Sequence, residues 1–124
     1  MTQITFEIVD GKIRYNGRTL AEWVPVAVAD LVAAADPLRI VLFGSVARGD
    51  DGPDSDLDLL VVLPTIDHTQ RHRLMADLRV AITVPAPIDV FVTDPEEIER
   101  RKDLIGSFLY WPTREGRVVY ERAA

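Results

Sequence analysis

Three short apolar runs constrain this chain most: Leu38-Arg39-Ile40-Val41-Leu42-Phe43, residues 57–63, and Ile88-Asp89-Val90-Phe91-Val92. Each is apolar at odd and even positions alike and is shorter than an ordinary helix, so each reads as a strand buried on both faces. Strands of that kind need helices to cover them. Residues 23–35 read as a helix, with Pro25 in its first turn and Asp36-Pro37 at its end. Its apolar residues run almost all round, which predicts a largely buried helix. Asp67-His68-Thr69-Gln70 has the spacing of a capping box and opens a second helix to about Thr83, before Pro85-Ala86-Pro87 breaks it. Asp94-Pro95-Glu96-Glu97 starts a third, with acids in the first turn, and one or two helices reach Glu115 with Gly116 as the cap. Residues 117–120 form a short last strand. The fold class is α/β: a mixed sheet with helices packed on it.

Ahead of this core lies an extension, residues 1–37, that ends in the first helix. Ile4-Thr5-Phe6-Glu7-Ile8-Val9 and Lys12-Ile13-Arg14-Tyr15 are strand-like, and Asp10-Gly11 between them signals a hairpin. Asn16-Gly17 is a second turn. The 124 residues fit a single domain, with residues 38–124 as core and C-terminal helices. Residues 1–11 carry no basic and apolar leader pattern, and the apolar stretches are interrupted or short, so a cytoplasmic protein without membrane contact is expected. The net charge of −6 argues against direct nucleic-acid binding. The absence of cysteine excludes disulfides and thiolate metal sites.

The chemistry concentrates between the first two runs. Gly44-Ser45-Val46-Ala47-Arg48-Gly49 follows one strand, and Ser55-Asp56-Leu57-Asp58-Leu59 opens the next. Alternate side chains on a strand share a face, so Asp56 and Asp58 project together while Leu57 and Leu59 enter the core. At ordinary strand rise their Cα atoms lie about 6.6 Å apart. Two charges at that separation repel by about 2.5 kcal/mol at an effective dielectric near 20. A divalent cation offsets that cost, and Mg²⁺ takes carboxylate oxygens together with substrate phosphates. Asp89, a charge in an otherwise apolar strand, joins the cluster if its strand lies beside residues 57–63. Gly44 permits close backbone approach to phosphate oxygens, and the Ser45 hydroxyl can bond one. Arg48 either neutralises phosphate or pairs with a nearby Asp.

Blander readings compete at each position. Asp56 and Asp58 could belong to a solvated acidic loop with Asp50, Asp51 and Asp54, and Asp89 could be a strand-edge turn residue. Leu59 stands where a calcium loop of EF-hand type requires glycine. No Gly-x-Ser-x-Gly elbow surrounds Ser45, which favours phosphate binding over a nucleophilic role. His68 and His72, four apart, lack a third ligand and read as a solvated helix face. Arg100-Arg101-Lys102 reads likewise, with contact to ATP phosphates as the alternative. Residues 108–111 are apolar and aromatic enough to bury against the first helix or another chain.

The string Gly44-Ser45, ten residues, Asp56-Leu57-Asp58 resembles the signature of the DNA polymerase β-like nucleotidyltransferase superfamily. With Gly49 and Leu59 it resembles the minimal, MNT-type branch, and residues 106–120 resemble that branch's tail. The resemblance implies the nucleotidyltransferase fold. It implies two Mg²⁺ ions on Asp56, Asp58 and Asp89, and ATP held by Gly44 and Ser45. AMP would then pass to an acceptor hydroxyl, with Asp89 helping to deprotonate it. It further implies an antitoxin that AMPylates a HEPN-type ribonuclease toxin. The extension over residues 1–37 is longer than the minimal domain needs. A non-catalytic antitoxin acting by binding, and a small-molecule nucleotidyltransferase of the aminoglycoside type, are the alternatives. Homo-oligomers are compatible with all three.

Overall fold

The computed structural model of the protein describes residues 4–123; residues 1–3, which begin the extension, and residue 124 lie outside the described residues. The extension folds as three antiparallel strands, β1 (Phe6–Val9), β2 (Lys12–Tyr15) and β3 (Arg18–Thr19), in the order β1-β2-β3. Asp10-Gly11 and Asn16-Gly17 make the two turns, all four residues with positive φ. Such turns match the right-handed twist of paired strands. The expected hairpin is thus joined by a third, two-residue strand.

Helix α1 (Leu20–Ala35) begins three residues earlier than expected. Thr19 caps it: its hydroxyl accepts from the Glu22 N–H at 3.3 Å, and the Glu22 carboxylate accepts from the Thr19 N–H at 3.0 Å. Pro25 therefore sits inside the helix rather than in its first turn. The expectation of an all-round buried helix also fails. Leu20, Val24, Ala27 and Leu31 are buried, whereas Ala29, Ala33 and Ala34 face solvent. Alanines read as apolar in the sequence, yet they expose too little surface to demand burial.

A mixed four-stranded sheet follows the expected runs: β4 (Arg39–Phe43), β5 (Leu57–Val62), β6 (Ile88–Thr93) and β7 (Arg117–Glu121), in the order β6-β5-β4-β7. β5 runs parallel to β6, and β4 is antiparallel to both β5 and β7. The connection between β5 and β6 carries a 3₁₀ turn over His68–Gln70 and helix α3 (Arg71–Ala81). Asp67 caps the turn by accepting from the Thr69 N–H and hydroxyl, not through a reciprocal capping box.

The sheet separates two apolar clusters. Ile40, Leu42, Leu57, Leu59, Val61, Val90 and Val92 face α1 and α3. Leu60, Val62 and Leu109 pack on the other face with Val41, Phe43, Phe91, Ile98 and Phe108. Helices α4 (Pro95–Arg101) and α5 (Tyr110–Glu115) belong to the chain beyond β6. Gly116 caps α5 as expected, its N–H donating to the Pro112 carbonyl, in an extended conformation with φ −72°. A fully buried leucine contributes about 1.5–3 kcal/mol, and both faces hold several. No helix among the described residues is long and apolar enough to cross a membrane.

Candidate active site

Register brings the candidate residues together. Across the sheet, Phe43 pairs with Asp58, and Asp58 pairs with Asp89. Leu57 and Leu59 belong to the cluster facing α1 and α3, so Asp58 lies on the opposite face by strand alternation. Asp89 shares that face through Phe91, two residues on. Asp56 immediately precedes β5 and completes the group.

Gly44 and Ser45 begin α2 (Gly44–Arg48), a single helical turn where the sequence suggested only a loop. Gly44 has φ +76°, and a Cβ there would stand 2.3 Å from Asp58 Oδ2. The backbone of this turn and a carboxylate are therefore in contact, which glycine alone permits. Gly49 closes α2 with φ +82°.

The carboxylates disturb one another. Burial first, then the charges of Asp89 and Asp56, push Asp58 from 3.8 up to about 6, against the opposing pull of Arg48. Asp89 is also raised, by desolvation and then by the charge and hydrogen bond of the neighbouring Asp56 carboxyl. Among the described residues no lysine or arginine forms an ion pair with Asp56, Asp58 or Asp89. Nor do three acidic or imidazole groups already converge on one metal-binding point among those residues. The donors nonetheless fit a hard divalent cation: carboxylate oxygens only, mutually repelling, with no basic residue paired to them. A cation shared by these carboxylates would offset the repulsion that raises Asp58 and Asp89.

Arg48 is tied to Asp50 at 3.3 Å and to Glu115 at 2.9 Å, the ion-pair alternative of its two readings. His72 is exposed, as expected for a solvated face. His68 is exposed too, with its Nδ1 2.8 Å from the Arg71 guanidinium and 3.5 Å from Glu97. Arg100, Arg101 and Lys102 face Glu96, Glu97 and Glu99. Residues 108–111 divide: Phe108 stacks on Phe91 at 6.3 Å, Leu109 is buried, and Trp111 is exposed.

Two features escaped the sequence. Lys12 of β2 reaches Asp51, in the loop between the two halves of the motif, at 2.8 Å. Glu97 is fully buried, accepting from Thr93 Oγ1 at 2.6 Å and from Arg71. Neither has a local signal, because the first pair is 39 residues apart and the second joins two helices. The carboxylates sit on an open face. Two hollows of about 620 and 680 Å³ lie elsewhere, lined by none of the candidate residues.

A crystal structure of a candidate nucleotidyltransferase from Sulfolobus solfataricus is similar to this chain, with a TM-score of 0.59 and 22% identity over 83% of this chain and 81% of that one. At that identity the likeness establishes a shared fold. No curated protein matches the sequence. The family model described as "Nucleotidyltransferase domain" matches residues 27–112, more than half of the chain and the whole of the site from Gly44 to Asp89. A match of that extent, over a glycine-serine turn locked against a carboxylate pair, places this chain in the nucleotidyltransferase domain family.

Proposed function

We propose that the protein transfers AMP from ATP to a hydroxyl of another protein, and that this modification neutralises a HEPN-type ribonuclease toxin. The observation that carries the reading is the cross-strand pairing of Asp58 with Asp89, with Gly44 packed on Asp58. Gly44 and Ser45 hold the triphosphate oxygens. Asp89, exposed and with a raised carboxyl pKa, takes the proton of the acceptor hydroxyl. The acceptor oxygen then bonds to the α-phosphorus as the bond to the β-phosphate oxygen breaks, and pyrophosphate leaves. Two Mg²⁺ ions on Asp56, Asp58 and Asp89 would supply charge neutralisation on the attacking and leaving oxygens.

A protein acceptor is favoured by the surface beside the site. Helix α5 packs against α2, which begins with Gly44, and carries Trp111, 60% exposed; Ile105, three residues before Phe108 in the sequence, is 85% exposed. Exposed apolar groups of that size suit a protein surface better than a small polar solute. The net charge of −6 complements a basic ribonuclease. The test is incubation with α-labelled ATP, Mg²⁺ and a HEPN-type protein encoded beside it. Label is expected on the partner and not with Asp56→Ala. Neutralisation that survives Asp56→Ala without label would establish a binding antitoxin. Adenylylated aminoglycoside formed without a partner would establish the small-molecule enzyme.

A further inference from the structure

The loop over residues 49–56 joins the phosphate turn to the first carboxylate. It holds Asp50, Asp51, Asp54 and Asp56 and no apolar side chain larger than Pro53. Burial does little to hold it, and its charges repel. Its restraints are polar. The Asp50 N–H donates to the Ser45 carbonyl at 3.1 Å. The Gly52 N–H donates to Ser55 Oγ at 2.9 Å, and the Ser55 N–H donates to the Gly52 carbonyl at 3.1 Å, closing a turn directly before Asp56. Asp51 stands between these restraints. Its side chain is 5% exposed, and Lys12 Nζ donates to it at 2.8 Å while remaining 38% exposed itself.

Lys12 lies on β2, outside the matched family region, which begins at residue 27. β2 is itself fixed to the core: Trp23 Nε1 of α1 donates to the Tyr15 carbonyl at 2.8 Å. Tyr15 is buried and close enough to Asp56 for that charge to raise its hydroxyl, after the larger effect of burial. We propose that the N-terminal hairpin is a clamp on the catalytic loop, in which Lys12 is a positioning residue that anchors Asp51 and thereby sets the place of Asp56 against Asp58 and Gly44. The link to the metal rests on the nucleotidyltransferase reading above; the link to the loop does not. Removing the ammonium leaves a buried carboxylate unpaired, and the loop must open to solvate it.

The experiment uses the full chain, without nucleotide, as wild type, Lys12→Met, Lys12→Arg and Asp51→Asn. Amide hydrogen exchange over residues 49–57 is measured in chelator, and Mn²⁺ affinity by electron paramagnetic resonance. Lys12→Met and Asp51→Asn are expected to speed exchange in that segment by about tenfold, with β4 and α3 unchanged. Mn²⁺ binding is expected to weaken by about tenfold in Lys12→Met and to recover in Lys12→Arg. Unchanged exchange in the loop, or an equal rise throughout the chain, overturns the clamp. Wild-type protein that binds no Mn²⁺ overturns the metal reading instead, and the exchange result alone then decides the clamp.

Discussion

Replacing Asp58 by Asn should make the metal-free protein more stable while abolishing transfer. Asp58 is raised from 3.8 to about 6, chiefly by burial and by the charges of Asp89 and Asp56. At about 1.36 kcal/mol per pH unit this difference corresponds to about 3 kcal/mol of strain when the group is ionised. Asp58 is only partly buried, so solvent screening reduces the figure to about 1.5 kcal/mol. The folded value lies above the unfolded one. The cost is therefore absent below the unfolded value of 3.8, grows as the pH rises toward 6, and is complete above it. Asn keeps the shape and removes the charge. In chelator at pH 8 its midpoint should exceed wild type by about 5 °C. At pH 4 the gain should shrink to about a third of that. Thermal unfolding followed by circular dichroism at the two pH values reads both numbers. Saturating Mg²⁺ should close the gap by stabilising wild type and not the variant. A variant no more stable than wild type at pH 8, or equally favoured at both pH values, would refute the account of mutual repulsion.

Two further substitutions probe the frame of the site. Gly44→Ala should lower stability by about 1–3 kcal/mol, because it combines a disfavoured positive φ with a Cβ driven onto Asp58; urea unfolding measures this, and a neutral result would mean that Asp58 can step aside. Arg71→Ala should cost about 2–3 kcal/mol, since it removes the main partner of the buried Glu97 carboxylate and leaves it Thr93 and the more distant Arg101, and Glu97→Gln combined with it should recover part of the loss. Burial would raise Glu97, but Arg71 and Thr93 outweigh it and hold it low. Its contribution is thus present at neutral pH and lost as pH falls through the depressed value, so the wild type should gain less from moving to acid than Arg71→Ala does.

What could be read in the sequence was local. Apolar runs of five to seven residues gave β4, β5 and β6 nearly to the residue. The spacing of Gly44, Asp56 and Asp58 worked because strand alternation and a tight turn are properties of adjacent residues. The start of α1 was also written there, in Thr19-Leu20-Ala21-Glu22, but Pro25 drew the boundary to itself. Proline is expected in a first turn; α1 tolerates one farther in, at the loss of one backbone donor. The clamp of Lys12 on Asp51 and the burial of Glu97 were beyond reach. Each depends on which distant cation is delivered to an acid, and nothing beside either acid distinguishes it from a solvated one. Glu97 reads as an ordinary first-turn acid, and Asp51 as one of several in an acidic loop.

The parallel pairing of β5 with β6 has a kinetic consequence. Asp58 and Asp89 meet only when that pairing closes, after α3 has carried the chain across the sheet. Long-range parallel pairings are slow to form, because the loop entropy is spent before the contacts return it. This one must also bring two like charges side by side. The carboxylate pair thus taxes the same step that assembles it, and protonation or a divalent cation relieves the barrier as well as the final state. Refolding should quicken as the pH falls below about 6. On this view the proposed metal site is a late event in the life of each molecule, acquired at the moment β6 joins β5.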